Sequence, residues 1–353
     1  MSKTTLFAAI AIVIIAISLV IVGIILMTGK DKKGDLDQVK VVLRYNQIIQ
    51  FEGFSHEKWA PSARFAGFYT AQQKGFYEQN GINIILTTGT TDFSVLNLLR
   101  NGETFRVTGV DQILRSRDNG YSWVILAVIF QKNPFVLVTI NENITKPQDL
   151  IGKKIGLKTP SNLSNSDILF FSMFNNTNIT KEQVEIVKVG FDTEPLIKGE
   201  VDAYEVFALD ELIGLQEKGY KLYVINPADY GVEFYADAIF ASEEQIKQNP
   251  DLIRRFVNAT LEGWNYAYAH PEEAVDYTLI YSDSLNREHE SKIMNEVLGL
   301  LRLNNKPIGY IDKNILQSMQ NMLLEKKLIK GIRGSMGITA ASASYTTEFI
   351  GDA

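Results

Sequence analysis

An α/β protein of two lobes is what this sequence predicts, on three observations. From Val39 onward, short apolar strands alternate with helices. Near Pro134 the alternation starts again as a second run. From Glu243 to about Lys330 the chain turns almost wholly helical. Repeated β-α-β units imply a mostly parallel sheet with helices on both faces. Two such runs, joined near 133–139 and again near 229–237, make two lobes with two crossings. A ligand then belongs in the cleft, beyond the C-terminal ends of the strands.

Each element has its own signal. "VKVVLRY" opens the first run as a strand. Residues 62–80 read as one helix, ended by Asn80-Gly81 as helix C-termini often are. "INIILTT" is the next strand, and "DFSVLNLLRNG" a helix with Asp92 as N-cap. "FRVTGV" is a strand and "DQILRSRDNG" a short helix closed by Gly120. "SWVILAVIF" is almost wholly apolar, as expected of a strand covered on both faces. In the second run "PFVLVTI", "KKIGLK", "EIVKVG", "DAYEVF" and "KLYVIN" are strands, with "SDILFFSMF" and "DELIGLQEKG" as helices. Four helical stretches follow "DYGVEFYADAIFAS", the first being "EEQIKQNPDLIRRFVNATLEGWNYAYA". Pro271 with Glu272 and Glu273 suits a helix's first turn, with His270 at the cap. This assigns 39–133 and 235–335 to lobe 1 and 134–234 to lobe 2, with 336–353 a flexible tail.

The N-terminus carries a separate message. After a short end at 1–5, Leu6 to Met27 runs for 22 residues without a charge. As a helix it covers roughly 33 Å, enough to cross a bilayer. It is longer than the apolar region of a cleaved signal peptide and lacks a small-x-small cleavage site. An uncleaved single-pass anchor is therefore expected at 6–27, followed by a polar linker at 28–38. Lys30, Lys32 and Lys33 after the span favour a cytoplasmic C-terminal side on charge alone. Sequons at Asn143, Asn162, Asn175, Asn178 and Asn258 are permissive for export.

Composition narrows the function. The net charge is -6 with no basic stripe, so nucleic acid is not an expected partner. The chain has no cysteine, which removes disulfides, thiolate catalysis, iron–sulfur ligation and cysteine zinc sites. Its three histidines form no H-x-x-x-H pair, and no G-x-S-x-G occurs. No cofactor, metal or enzymatic activity is expected.

The stretch "WAPSARFAGFYTAQQKGFYEQNGINI" (59–84) gathers Trp59, Phe65, Phe68 and Tyr69 around Gly67 at the start of a helix. With "VIFQKNPFVLVT", "LIGKKIGL", "LIKGEVDAYEVFALDELIGLQEKGY", "PADYGVEFYADAIFAS" and "RRFVNATLEGWNYAYAHPEEAVDYTL" it resembles one family across residues 40–330. That family is the solute-binding proteins of the thiamine-pyrimidine-precursor group, relatives of sulfonate, taurine and nitrate binders. The resemblance implies a type II periplasmic binding fold: two lobes of mixed sheets flanked by helices. It implies capture of a small pyrimidine-like heterocycle by domain closure and delivery to an ABC permease and ATPase. It also implies a binding domain outside the cell membrane, which outweighs the lysines after the span. A flavin or a sulfonate-type anion is the alternative ligand. A sensor acting through a partner and a pyrimidine-precursor synthase are the alternatives of another class. The synthase resembles this chain in the same first helix but carries a histidine where Phe65 stands, and a cysteine-rich iron segment missing here.

Candidate ligand contacts follow. Trp59, Phe65 and Tyr69 are rings that could stack on a flat ligand, with Gly67 giving close approach. Phe68 and Phe76 are expected to pack on the sheet. Asp111 and Gln112 start a helix after a strand. Gln131 and Asn133 lie at the first crossing, with hinge hydrogen bonding as the alternative. Asp210 and Glu211 stand where the family shows asparagine-glutamate-proline, and Leu212 replaces the proline. An acid there could accept from an aminopyrimidine edge, or serve only as a helix N-terminal charge. Tyr230, Tyr235 and Asp237 flank the second crossing. Ser161, in "TPSNLSN", could help hold an anion at a helix start. Arg64 is a cation available to an anionic ligand.

Overall fold

The computed structural model describes residues 36–43, 61–88, 105–158, 165–190, 192–331 and 344–350. The expected span at 6–27, the helix at 92–102, Trp59 and Ser161 lie outside them.

Among the described residues, ten strands form two mixed sheets of five. Strands β1 (Asp37–Leu43), β2 (Ile82–Thr88), β3 (Phe105–Gly109), β4 (Trp123–Val128) and β10 (Asp237–Ser242) make one, in the order β2-β1-β3-β10-β4. Strands β5 (Phe135–Thr139), β6 (Lys154–Leu157), β7 (Glu185–Lys188), β8 (Ala203–Phe207) and β9 (Tyr223–Ile225) make the other, in the order β7-β6-β8-β5-β9. Each sheet with its helices is called a lobe below.

The mixed sheets that the resemblance implies are the ones formed; the mostly parallel sheet read from β-α-β alternation alone needs correction. β1 and β3 are parallel, and so are β6 with β7 and β8. But β10 runs antiparallel to both β3 and β4, and β5 runs antiparallel to both β8 and β9. The reason is connectivity. β5 and β10 are the strands by which the chain enters a lobe from the other one. No helical crossover within the sheet precedes them, so nothing forces a parallel approach. The two crossings pair with each other. Phe130 N–H donates to the Asp237 carbonyl at 3.0 Å, and Ala236 N–H donates to the Phe130 carbonyl at 3.0 Å.

The helices are α1 (Ala66–Gln73), α2 (Phe76–Gln79), α3 (Val110–Asp118), α4 (Asn165–Asn176), α5 (Glu194–Ile197), α6 (Glu211–Glu217), α7 (Glu243–Gln248), α8 (Pro250–Ala269), α9 (Pro271–Leu279), α10 (Arg287–Leu300) and α11 (Lys313–Glu325). Two expected helices are broken. The 62–80 segment begins as a 3-10 turn at Ala63–Phe65 and is interrupted at Gly75, whose φ is +73°. Only glycine adopts that conformation without strain, so α1 ends and α2 restarts there. The first helix of the C-terminal set splits at Asn249. Pro250 has no N–H to continue the ladder and therefore begins α8.

Phe68 and Phe76 meet rings of α8 and belong to the core that also holds the strands of the first sheet. Phe68 meets Trp264 edge-on at 5.9 Å, and Phe76 meets Tyr266 edge-on at 6.2 Å. The crossing of α1 and α8 needs two glycines. A Cβ on Gly67 would lie 2.0 Å from the Trp264 ring, and one on Gly263 would lie 2.4 Å from the Gly67 carbonyl. Helix α11 lies across both lobes, in one apolar cluster with Ile113 of α3 and Phe174 of α4.

The tail also differs from expectation over 344–350. Ile125 N–H donates to the Ser344 carbonyl at 2.7 Å, and Thr346 N–H returns a bond to the Ile125 carbonyl at 3.1 Å. Phe349 is buried in the first lobe's core, under Arg254. Phe349, four positions after Tyr345, docks a segment that is otherwise mostly small and polar, with Tyr345 and Ile350 packed against the second apolar cluster.

Candidate functional site

The register fixes where the cleft edges lie. On one lobe Asp237 of β10 stands opposite Gly109, the last residue of β3. On the other, Phe135 of β5 stands opposite Phe207, the last residue of β8. Strand ends, crossings and the starts of α3 and α6 thus converge on one region. Between them the structure builds two buried ion pairs, one on each lobe.

The first is Arg64 with Asp237. Arg64 sits in the 3-10 turn that opens the first helix, and it is 3 % exposed. Its Nε and Nη2 donate to Asp237 Oδ2 at 3.0 and 2.6 Å. The guanidinium carbon lies 5.6 Å from the Phe65 ring centre and 5.0 Å from that of Phe207. Arg64 is therefore not a spare cation, as the sequence suggested; Asp237 is its counter-ion.

The second pair is Lys158 with Glu211. Lys158 follows β6, and its Nζ donates to Glu211 Oε1. The other carboxylate oxygen accepts from Phe207 N–H at 2.8 Å. Below it, Glu205 accepts from Lys158 N–H at 3.0 Å. Burial raises the Glu205 carboxyl above its ordinary range, against the opposing pull of Lys158. Lys158 and Glu205 are contacts that the sequence reading missed. A lone lysine after a strand carries no local sign of its partner.

A further carboxylate closes the start of the first helix. Glu290 of α10 accepts from Ala63 N–H at 2.6 Å. That carboxylate places negative charge at the helix N-terminus, where the dipole favours it. Burial raises the Glu290 carboxyl as well.

The other candidates are placed as follows. Tyr69 is buried, with its ring stacked on Tyr281 at 4.1 Å. Its neighbours are core residues, as are those of Phe65. Gly67 lies against the Trp264 indole. Asp111 is buried at the start of α3, 3.9 Å from Arg115. Gln112 accepts from the Thr108 hydroxyl at 3.0 Å. Gln131 donates to the carbonyls of Val128 and Tyr310 at 2.8 and 3.0 Å, a hinge role. Asn133 caps the next strand by accepting from Phe135 N–H at 3.1 Å. Asp210 is the N-cap position of α6. The Tyr235 hydroxyl accepts from Asp312 N–H at 2.9 Å, on the α11 side. The Tyr230 carbonyl accepts from Asn176 at 3.0 Å. Thus Arg64, Phe65, Phe207, Glu211 and Asp237 come together. Gln131 and Tyr235 bond around the crossings, and Tyr230 bonds to α4 through its carbonyl.

Two mixed sheets, joined by paired crossings and facing each other across charged strand ends, define a type II periplasmic binding fold. A solved structure of that fold, the periplasmic aliphatic sulphonate binding protein SsuA from Escherichia coli, matches with a TM-score of 0.62 and 13 % identity, over 83 % of this chain and 94 % of that one. The family model described as NMT1/THI5 like matches residues 62–274, and the chain belongs to that family. A riboflavin-binding protein from Chloroflexus aurantiacus is 27 % identical over 63 % of this chain and 64 % of its own length. A formylaminopyrimidine-binding protein from Halalkalibacterium halodurans is 24 % identical over 71 % of this chain and 78 % of its own. A 4-amino-5-hydroxymethyl-2-methylpyrimidine phosphate synthase from Saccharomyces cerevisiae is 22 % identical over 65 % of this chain and 71 % of its own.

Proposed function

We propose that this chain is the membrane-anchored, extracytoplasmic solute-binding component of an ABC importer, and that it captures a small heteroaromatic nutrient of the pyrimidine-precursor kind by lobe closure. Binding proteins among the relatives support the class. The charge of the cleft edge supports the ligand. Buried charged side chains at the strand ends and helix starts comprise Asp111, Asp167, Glu205, Glu211, Asp237 and Glu290, against Arg64 and Lys158. Among the described residues, Arg64 faces Asp237, Lys158 faces Glu211, the start of the first helix faces Glu290, and α4 carries Asp167 in its first turn. A sulfonate or nitrate entering this set meets like charge in a poorly screened place. A flat, uncharged heterocycle does not.

Flavin is the second reading, favoured by the riboflavin-binding relative. An enzymatic reading finds less support. The family histidine position holds Phe65, and the chain contains no cysteine for an iron segment. Thermal shift of the full chain against aminopyrimidines, riboflavin, sulfonates and nitrate tests the proposal. A ligand at ~100 times its Kd stabilises by about 2.7 kcal/mol. A shift with an aminopyrimidine alone supports the first reading, and one with riboflavin alone moves the assignment to flavin. A shift confined to the anions overturns the charge argument.

A further inference from the structure

We infer that Arg64 is a positioning residue of the cleft: its guanidinium, locked to the crossing strand by Asp237, is the plate on which Phe207 of the opposite lobe comes to rest. This deepens the solute-binding reading and rests on it for its purpose, though not for its test. Four observations carry it. Both Arg64 donors named above converge on one Asp237 oxygen, which fixes the guanidinium plane. Asp237 is itself held at the junction, since its carbonyl accepts from Ile129 N–H at 2.9 Å and Phe130 N–H at 3.0 Å. The guanidinium carbon is within 6 Å of two ring centres, where attraction between a cation and an aromatic face operates. One ring, Phe65, belongs to its own lobe, and the other, Phe207, to the opposite lobe. Phe207 is held from behind, because its N–H donates to the Glu211 carboxylate paired with Lys158.

The result is a chain of fixed contacts from Asp237 through Arg64 and Phe207 to Glu211 and Lys158. It passes between the lobes at one ring face. Leu209 and Ile213 extend that contact into the first lobe's apolar core. A second cross-lobe contact exists at the rim, where Glu217 of α6 meets His289 at 3.0 Å and Lys292 at 3.4 Å. Those side chains are 33–37 % exposed, so water and salt weaken that contact, whereas Arg64 and Asp237 are 3 % and 7 % exposed. The inner contact therefore governs closure, and the rim contributes little.

Lobe separation can be read directly, because the chain has no cysteine of its own. Spin labels at Asn295→Cys on α10 and Lys218→Cys at the C-cap of α6, both exposed positions, report the distance between lobes in the full chain. No ligand is added, so the outcome is independent of which solute the protein carries. Phe207→Leu keeps an apolar side chain and removes the ring; Arg64→Lys keeps the charge and removes the plate. Each is expected to move the open-to-closed ratio toward open by roughly twofold to thirtyfold, the span of one such contact. Phe207→Tyr is expected to retain the wild-type distribution. Circular dichroism melts confirm which variants fold, and Phe207→Leu keeps the test decisive where Arg64→Lys does not. An unchanged distance distribution in folded Phe207→Leu, or opening by Phe207→Tyr equal to that of Phe207→Leu, overturns the inference.

Discussion

Gly67→Ala separates packing from ligand access in the first helix. A Cβ there would stand 2.0, 2.3 and 2.5 Å from three atoms of the Trp264 indole. The indole has nowhere to go: it is buried, with Phe68 edge-on at 5.9 Å and Phe130 edge-on at 6.1 Å. Overpacking of a full core costs about 1–3 kcal/mol, and contact this short with a locked ring belongs at the upper end. Replacing glycine by alanine in a helix returns at most about 1 kcal/mol. The net expectation is a loss of roughly 2 kcal/mol. Gly214 is the internal control, because it lies in α6 with nothing within 4 Å of an added Cβ. Gly214→Ala should gain roughly 0.5–1 kcal/mol. Urea unfolding with an m-value near 3 kcal/mol/M would place the two midpoints about 1 M apart, on opposite sides of wild type. A neutral Gly67→Ala with weakened solute binding would restore the ligand-access reading and refute the packing one.

Further expectations are as sharp. Burial raises the carboxyls of Glu205 and Glu290 above the ordinary glutamate value of 4.5, so both hold a proton more tightly when folded. Their stabilising contribution is complete below 4.5 and is lost as pH rises through the folded value. Glu205→Gln and Glu290→Gln should therefore flatten the fall in stability between pH 4.5 and neutrality, in melts taken across that range. An unchanged slope would show that neither group titrates there. Lys158→Met leaves the Glu211 carboxylate buried without its ion partner and should cost about 3–5 kcal/mol in chemical denaturation, while Lys158→Met with Glu211→Leu should recover most of it. Phe349→Ala should cost about 3 kcal/mol if the 344–350 segment is part of the core, and almost nothing if it is a loose tail.

The strands were legible because each is a short apolar run with clear ends. "INIILTT" coincides with β2, and "SWVILAVIF" contains β4. The direction of β5 and β10 was not. Both look like any other buried strand, and direction depends on where the chain comes from in space. The break at Gly75 was open to sequence reading, since a Lys-Gly pair inside a helical pattern is a stop signal. The rings of Phe68, Tyr69 and Phe76 hid it by keeping the apolar stripe continuous. Gly67 misled for a different reason. A glycine among aromatics signals close approach, but not of what, and the visitor is an indole nearly 200 positions later in the chain.

The site shows the same divide between residue type and partner. Glu211 could be picked out because it stands in the family's asparagine-glutamate-proline position, and Asp237 because it flanks the second crossing. Their partners lie across the fold: Arg64 is 173 positions from Asp237, Lys158 is 53 from Glu211, and Glu290 is 227 from Ala63. Unpaired, each acid would be an acceptor waiting for an amino group from a ligand. Paired, it is half of a wall. Burying such a pair is of doubtful benefit to stability, because desolvation offsets most of the attraction. A cleft can still gain from it, since a fixed guanidinium and a fixed ammonium hold their neighbours where an apolar pair would let them slide. In this fold those neighbours are the crossing strand on one lobe and Phe207 on the other. The charges that look like ligand hooks in the sequence are already met within the protein, Asp237 by Arg64 and Glu211 by Lys158, so on the proposed reading they reach the solute through the shape they hold.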